Sequence, residues 1–272
     1  MKPSIRYLIG PPVSAFVLGV VLTGCAGIDT APTPEAQQAL APTGKLRVGL
    51  YLGQPLSAIR DSASGEMKGV GYDLGRDLAR QMGVPFEPVV YPSGGAVVRG
   101  AKSGEWDVAF LSGSAARGKA MDFTAPIVEI ERSYLVQSGS SISTVADVDQ
   151  PGIRVAVPAK GGTDRYLSRV LRNAVLVRGK GSAGAFELLK SGKADALAGS
   201  KPTLFNITDK SPGFRVLEGR FATDPGVMAI PKGRDLGLAY ARKFIEDAKS
   251  KGLVKAGLEK AGARGAVVAP LQ

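Results

Sequence analysis

The strongest constraint on the fold is a repeated alternation of short apolar segments with amphipathic helical segments, which begins near residue 45. In the first series the pattern predicts strands at 45–51, 86–91 and 106–111, with helices at 71–83 and 96–103 between them. Strands that alternate with helices form mostly parallel sheets with helices packed on both faces. This part of the chain therefore predicts one α/β unit.

The same pattern starts again after a stretch that contains proline and serine. It predicts strands at 153–157, 174–177, 194–198 and 227–230, and helices at 163–171, 182–190, 203–207 and 235–249. Both series also share a local format, in which a helix and a short polar segment precede an aspartate in an apolar strand. The aspartates are Asp107 and Asp195. The repetition indicates two similar α/β lobes.

The first 24 residues predict a signal peptide. Lys2 and Arg6 give a positive start, and the apolar run at 13–22 is too short to span a bilayer as a permanent helix. The run ends in LTGC, which resembles the lipobox of bacterial lipoproteins and makes Cys25 the expected lipidated N-terminus. An ordinary secretory signal that ends near a cysteine is the alternative.

Residues 25–44 follow this segment, and 26–44 contain three prolines without an alternating apolar pattern. Such a composition is typical of a flexible tether. We therefore expect a folded body held by lipid at a membrane, in the periplasm or at the cell surface, where it can capture or deliver a solute.

The composition excludes several kinds of chemistry. The chain has no histidine, and Cys25 is its sole cysteine. Disulfides, Ser-His and Cys-His nucleophilic sites and Cys/His zinc sites are thereby excluded, and we expect no metal and no cofactor. The net charge is +11, but Lys and Arg are scattered and aromatic residues make up only 6%. This pattern argues against nucleic-acid binding and suits anionic solutes or an anionic membrane surface.

From residue 45 to about residue 260 the chain resembles the extracellular solute-binding proteins of family 3, the polar amino-acid type of ABC-transporter receptor. The matching segments follow the family's order: KLRVG at 45–49, GVGYDL at 69–74, GEWDV at 104–108, Arg117 followed by DFTAP at 122–126, VAV at 155–157 leading to GGT at 161–163, SGKADA at 191–196, and MAIPKG at 228–233.

The resemblance implies a type II periplasmic-binding fold with a ligand cleft between two lobes. Lobe 1 would hold 45–131 and 226–272, lobe 2 would hold 132–225, and two crossing strands would join them. The implied function is that of a monomeric ABC-transporter substrate-binding lipoprotein without enzymatic activity. It would deliver a small carboxylate-bearing solute, an amino acid or a similar organic acid, to an ABC permease in the inner membrane.

In lobe 1 the resemblance assigns Arg117 to the ligand's α-carboxylate, because the family's arginine upstream of the D-F-[ST]-x-P segment has this role. A guanidinium matches a carboxylate in charge and can donate two parallel hydrogen bonds. Ser112 and Ser114 can add donors, although the family usually has threonine at the second position and a longer loop. Gln54 belongs to the segment GQPL at 53–56, which stands where the family often carries an aromatic clamp of the type Y-x-P-F, and Tyr51 could compensate for the missing aromatic residues.

In lobe 2 the expected ligand contacts are Gly162, Thr163 and Ser200. The first two begin a helix, whose free N–H groups and dipole favour an anion, although Thr163 could equally cap the helix. Ser200 stands where family members usually present an aspartate to the α-ammonium. We therefore expect a carboxylate ligand without a free α-ammonium, or one that presents it to another acid such as Asp164 or Asp224.

Two other classes of function remain open. One is an enzyme on the same fold that resembles cyclohexadienyl dehydratase, with Asp164 and Glu131 as the candidate acids. Structural roles at a helix start and between the lobes also explain these two carboxylates. The other class is a sensory or adhesion lipoprotein with a receptor-like fold.

Overall fold

The computed structural model describes Met1 and residues 31–61 and 64–272. Residues 2–30 lie outside the described residues, and with them Cys25, nearly all of the predicted signal peptide and the first part of the predicted tether. In the part of the chain that the structure describes, no helix has the length and apolar character to cross a bilayer.

The described ranges contain eight α-helices and thirteen strands. The helices are α1 (Pro34–Leu40), α2 (Val70–Met82), α3 (Gly94–Lys102), α4 (Gly162–Val170), α5 (Gly181–Lys190), α6 (Lys201–Lys210), α7 (Asp235–Ser250) and α8 (Leu253–Lys260). The strands are β1 (Leu46–Tyr51), β2 (Ile59–Arg60), β3 (Met67–Lys68), β4 (Phe86–Tyr91), β5 (Val108–Ser112), β6 (Met121–Phe123), β7 (Val128–Gln137), β8 (Arg154–Pro158), β9 (Val175–Gly179), β10 (Ala196–Ser200), β11 (Phe214–Val216), β12 (Ala222–Pro231) and β13 (Ala266–Val268).

Both predicted series of strands and helices are confirmed, with most boundaries shifted by one or two residues. The strand predicted at 86–91 has the same first and last residues as β4. Two elements are much longer than predicted. The helix predicted at 203–207 corresponds to α6 (Lys201–Lys210), and the strand predicted at 227–230 corresponds to β12 (Ala222–Pro231). The long strand β7 was not predicted as a strand.

The main sheet has the strand order β4-β1-β5-β12-β7-β10-β8-β9. Its outer strands pair in parallel, β4 with β1 and β1 with β5 on one side, and β10 with β8 and β8 with β9 on the other. The two middle strands, β12 and β7, pair antiparallel with each other and with their outer neighbours. They are therefore the two crossing strands that join the halves of the molecule.

Separate hydrophobic cores lie on the two sides of these crossing strands. Leu78, Phe110 and Ile245 belong to the larger core on the β1 side, whereas Tyr134 and Leu167 belong to a core on the β8 side. The expected two-lobed α/β arrangement is thus present. The lobe boundaries proposed at 131/132 and 225/226 fall inside β7 and β12.

Helix α2 shows how the family-like segment GVGYD builds lobe 1. Leu74 and Leu78 are buried on one helical stripe, and Gly83 ends the helix in the left-handed conformation at φ 67°. A Cβ placed on Gly71 would lie 2.6 Å from Cβ of Phe110 on β5. Glycine at this position therefore allows the helix to pack directly on the sheet.

The shared format around the two aspartates extends to individual hydrogen bonds. In lobe 1, Nε and Nη2 of Arg47 donate to Asp107 at 2.9 and 2.8 Å, and Asp107 N donates to Arg47 O at 2.8 Å. In lobe 2, Nε and Nη2 of Arg154 donate to Asp195 at 3.0 and 2.7 Å, and Asp195 N donates to Arg154 O at 2.8 Å. The repetition inferred from the sequence is confirmed as a repeated fork between an arginine on β1 or β8 and the aspartate directly before β5 or β10.

The second part of the predicted tether differs from the structure. Thr33 caps helix α1 by accepting a hydrogen bond from Ala36 N at 3.2 Å, and Leu40 is fully buried. A Cβ placed on Gly237 of α7 would lie 3.0 Å from Leu40, so the two helices are in close contact. The flexible tether expected at 25–44 therefore does not include 34–40, because burial of Leu40 fixes this short helix on lobe 1.

Candidate ligand-binding site

A cavity of about 220 Å³ lies where the lobe 2 strands end. Strand β8 leads into α4 and β10 leads into α6, while Ser182 in the first turn of α5 also lines the cavity. Three helices therefore begin around one space. Their N-terminal N–H groups and dipoles make such a space favourable for negative charge.

The start of α4 is shaped for close approach. The N-cap is Gly161, which offers no side chain, and a Cβ on Gly162 would lie 3.1 Å from Nη2 of Arg132. The hydroxyl of Thr163 accepts a long hydrogen bond of 3.4 Å from Nη1 of Arg132. The structure thus places Thr163 inside the helix, where its hydroxyl lines the cavity instead of capping α4.

Ser200 lies at the N-cap of α6 and lines the same cavity. Its hydroxyl does not cap the helix but shares a hydrogen bond of 2.9 Å with the hydroxyl of Thr203. Ser200 also stands opposite Arg132 in the β10–β7 register. Two neutral hydroxyl groups and a helix start without a side-chain cap therefore lie at this end of the cavity.

The most strongly charged feature of this cavity is a fork between Arg132 and Asp224. Nε and Nη2 of Arg132 each donate to a different carboxylate oxygen of Asp224 at 2.7 Å. Arg132 on β7 faces Ala222 on β12, so Asp224 is its diagonal neighbour on the same face. The side chains are 14% and 31% exposed, and both line the cavity.

The predicted lobe 1 residues form a second group. Nη1 of Arg117 donates to the backbone oxygen of Ser112 at 2.6 Å, and Arg117 N donates to the hydroxyl of Ser114 at 3.4 Å. A Cβ on Gly94 would lie 3.5 Å from the ring of Tyr51 and 3.6 Å from Nη2 of Arg117, so both side chains reach the start of α3. Burial raises the pKa of Tyr51 and the charge of Arg117 lowers it to a smaller degree, so the phenol remains neutral.

Gln54 lies in neither of these two groups of residues. It lines a cavity of about 370 Å³ together with Phe205 of α6 and Arg264 beyond α8. Thr203 lines this cavity as well as the smaller one. Gln54 therefore faces lobe 2 across the cleft, beside the space that Ser200 lines.

The structure brings Gly162, Thr163 and Ser200 together around one cavity, and it keeps Arg117, Ser112, Ser114 and Tyr51 apart as the second group. Strand β12 connects the two groups. Ser112 pairs with Gly226, and Gly113 N donates to Pro225 O at 2.8 Å, directly beside Asp224. Ser112, whose backbone oxygen Arg117 contacts, therefore pairs with β12 two residues away from Asp224, the partner of Arg132.

Asp164, one of the two candidate acids, is fully engaged in structural contacts. It is 6% exposed and accepts hydrogen bonds from Lys160 N at 2.8 Å, from Arg178 Nε at 3.0 Å and from the Ser168 hydroxyl at 3.2 Å. The Lys160 N–H lowers the pKa of Asp164 most, burial opposes it, and Arg178 adds to the lowering. Asp164 is thus held as an ionised carboxylate at the start of α4.

Glu131, the second candidate acid, bonds to Lys201 at 2.5 Å and to Arg220 at 2.8 Å. Burial is the largest single effect and raises the pKa of Glu131, but the hydrogen bonds from Lys201 and Arg220 outweigh it and lower the pKa overall. An ionised, doubly paired carboxylate is poorly suited to donate a proton as a general acid.

Two acids were expected as alternative partners of a ligand ammonium group. Asp224 lines the cavity, whereas Asp164 is held by Arg178.

Sequence reasoning missed Arg132 and Thr203. The available signal for Arg132 was an arginine inside the segment VEIERSYLVQ, in which apolar residues alternate with charged ones. Alternation of this kind is typical of a half-buried strand, and an arginine within it calls for a partner on the same face. The partner itself lies 92 residues away in the sequence.

Comparison with known proteins agrees with this architecture. The family model for bacterial extracellular solute-binding proteins, family 3, matches residues 46–262. A curated relative, the glutamine-binding protein of an ABC transporter in Bacillus subtilis, is 24% identical over 222 residues, which is 79% of this chain and 80% of the relative.

Two solved structures show the fold. A binding component of an ABC transporter from Wolinella succinogenes, complexed with lysine, has a TM-score of 0.65 at 24% identity over 80% of this chain and 95% of its own. An ancestral cyclohexadienyl dehydratase has a TM-score of 0.54 at 22% identity over 82% of this chain and 95% of its own. The fold is thus the type II periplasmic-binding fold, which supports both binding and catalysis. The chain belongs to family 3 of the bacterial extracellular solute-binding proteins.

Proposed function

We propose that the protein captures a small carboxylate-bearing solute, an amino acid or a related organic acid, and delivers it to an ABC permease for import. The observation that carries this proposal is the cavity at which α4, α5 and α6 all begin. A carboxylate placed there can accept hydrogen bonds from free N–H groups and from the Thr163 and Ser200 hydroxyls. Family membership and the curated relative in B. subtilis, an ABC-transporter binding protein, support the same function.

Ligand capture would involve closure of the two lobes, formed by 45–131 with 226–272 and by 132–225. Arg117 would bind the ligand's carboxylate from the lobe 1 side, with the backbone oxygen of Ser112 holding its guanidinium and the hydroxyl of Ser114 holding its backbone N–H. Gln54 and Tyr51 would complete the lobe 1 wall. Binding is favoured over catalysis because Asp164 and Glu131 are held as ionised, paired carboxylates. The protein would act as a monomer.

A panel of soluble ligands tests this function by thermal unfolding. We expect at least one small carboxylate to raise the melting temperature. A ligand at about 100 times its Kd stabilises a protein by about 2.7 kcal/mol. The panel should contain amino acids, their 2-oxo and 2-hydroxy counterparts and small dicarboxylates, with uncharged amides of the same size as controls. Stabilisation by the amides and not by the acids would contradict the proposal.

We also propose that Cys25 carries the lipid that holds the protein at the membrane. Replacing Cys25 with alanine should leave the chain unacylated and release it from membranes, because one cysteine supplies the whole attachment. Fractionation and mass spectrometry of the N-terminal peptide measure both effects. Replacement of the exposed Ser103 with alanine is a control that should leave the fractionation unchanged. A wild-type protein found only in the soluble fraction, without lipid on Cys25, would contradict the anchor.

A further inference from the structure

We propose that Arg132 is a second anion-binding residue of the cleft, and that the ligand accordingly carries two acidic groups, one for Arg117 and one for Arg132. The inference rests on the proposed function, because it assumes that the cleft binds a carboxylate. It adds the chemical class of the ligand: a small dicarboxylate, not a zwitterionic amino acid. The residue is outside the family-like segments that pointed to Arg117.

The geometry leaves part of the guanidinium available. Nε and one N–H of Nη2 go to Asp224 at 2.7 Å. Among the described residues, the hydrogen bond of Nη1 is the 3.4 Å contact with Thr163, and Nη2 lies against Gly162. The edge of the guanidinium that carries Nη1 and Nη2 therefore faces the start of α4. A carboxylate at this edge would accept from Arg132 and from the first N–H groups of the helix together.

The charges around this space oppose an ammonium group. Ser200 and Thr203 contribute neutral hydroxyls, three helix N-termini face the cavity, and the carboxylate of Asp224 is already matched by Arg132. An ammonium ion here would lie close to the positive guanidinium of Arg132 and would find no carboxylate free to pair with it. A desolvated charge needs such a partner. A second carboxylate would instead find donors in Arg132, in the Thr163, Ser200 and Thr203 hydroxyls and in the N–H groups at the helix starts.

Asp224 acts in this scheme as a positioning residue. Its fork with Arg132 fixes the guanidinium plane, and it also reduces the positive charge that a ligand meets. Asparagine at this position keeps one oxygen that can accept a hydrogen bond from Arg132 but removes the negative charge, so Asp224→Asn should strengthen binding of a dicarboxylate. If Asp224 were itself the partner of a ligand ammonium, the same change would weaken binding. The two possibilities predict opposite signs for one substitution.

The test is calorimetry on the purified full chain with succinate, glutarate, butyrate and L-glutamine as probes. We expect succinate or glutarate to bind more tightly than butyrate or L-glutamine. Arg132→Gln should weaken the dicarboxylate at least about tenfold and weaken butyrate much less, since Arg117 holds the single carboxylate of butyrate in this scheme. Asp224→Asn should tighten the dicarboxylate several-fold. The double variant, which leaves no unpaired charge, should still lose the dicarboxylate preference.

Three outcomes would overturn the inference. Tight L-glutamine binding that Asp224→Asn abolishes would assign Asp224 to an ammonium and leave the proposed function intact. A preference for the dicarboxylate over butyrate that survives in the double variant would show that Arg132 does not bind the second acidic group, and it too would leave the proposed function intact. If none of the carboxylates binds, or if Arg117→Ala leaves butyrate affinity unchanged, the proposed carboxylate site fails together with the inference.

Discussion

Replacing Asp107 with asparagine is expected to lower the free energy of unfolding by about 3–5 kcal/mol, the cost of breaking a buried ion pair on one side. Asp107 is fully buried, and it accepts hydrogen bonds from Arg47 and, at 3.0 Å, from Nη1 of Arg234. Asparagine has nearly the same shape but removes the charge that both guanidinium groups face. Urea denaturation followed by circular dichroism measures the change.

The repeated fork supplies a matched control. Asp195 has the same place in lobe 2, but its side chain is 31% exposed and its guanidinium partner Arg154 is 43% exposed. Water screens such a pair, so Asp195→Asn should cost only about 1 kcal/mol. Equal losses in the two variants would show that neither burial nor Arg234 gives Asp107 its importance.

Replacing Arg117 with alanine is expected to weaken ligand binding by about 2–5 kcal/mol, the scale for removing one partner of a desolvated charge pair. Stability should change little, because Arg117 is only half-buried and its described hydrogen bonds go to Ser112 and Ser114. Calorimetry with whichever carboxylate stabilises the wild-type protein most gives the affinity.

The control for this variant is Lys119→Ala. Lys119 is a basic, exposed residue at the end of the short 3-10 helix that begins with Arg117, so this substitution removes the same charge from the same element. We expect it to leave the affinity nearly unchanged. If Arg117→Ala also left it unchanged, Arg117 would not belong to the site.

Much of the fold could be predicted because its information is local. Strand β4 and helix α2 each carry their own periodicity and stop signals, such as Gly83. Strand β7 was harder to recognise, since it contains Glu129, Glu131 and Arg132 and is stabilised by pairing with distant strands. Helix α1 is equally non-local, because Leu40 is buried in the lobe 1 core, where it packs against α7.

The candidate site divides in the same way. Gly162, Thr163 and Ser200 stand in motifs that a sequence displays directly, and the structure places all three around one cavity. The role of Arg132 can be recognised only from the β7–β12 register, which places Asp224 on the same face of the sheet. No local pattern encodes a diagonal neighbour in another strand, so this pair becomes visible only in three dimensions.

The position of the Arg132–Asp224 pair would couple ligand binding to closure of the lobes. Arg132 and Asp224 are carried by β7 and β12, the two strands that connect the lobes. A ligand that contacts this pair would therefore contact the two strands that any opening or closing of the lobes involves. A ligand shifts such an equilibrium only by its difference in affinity for the two states. Because part of that difference would arise within the connecting strands themselves, we expect occupancy and closure to be coupled without intermediate elements.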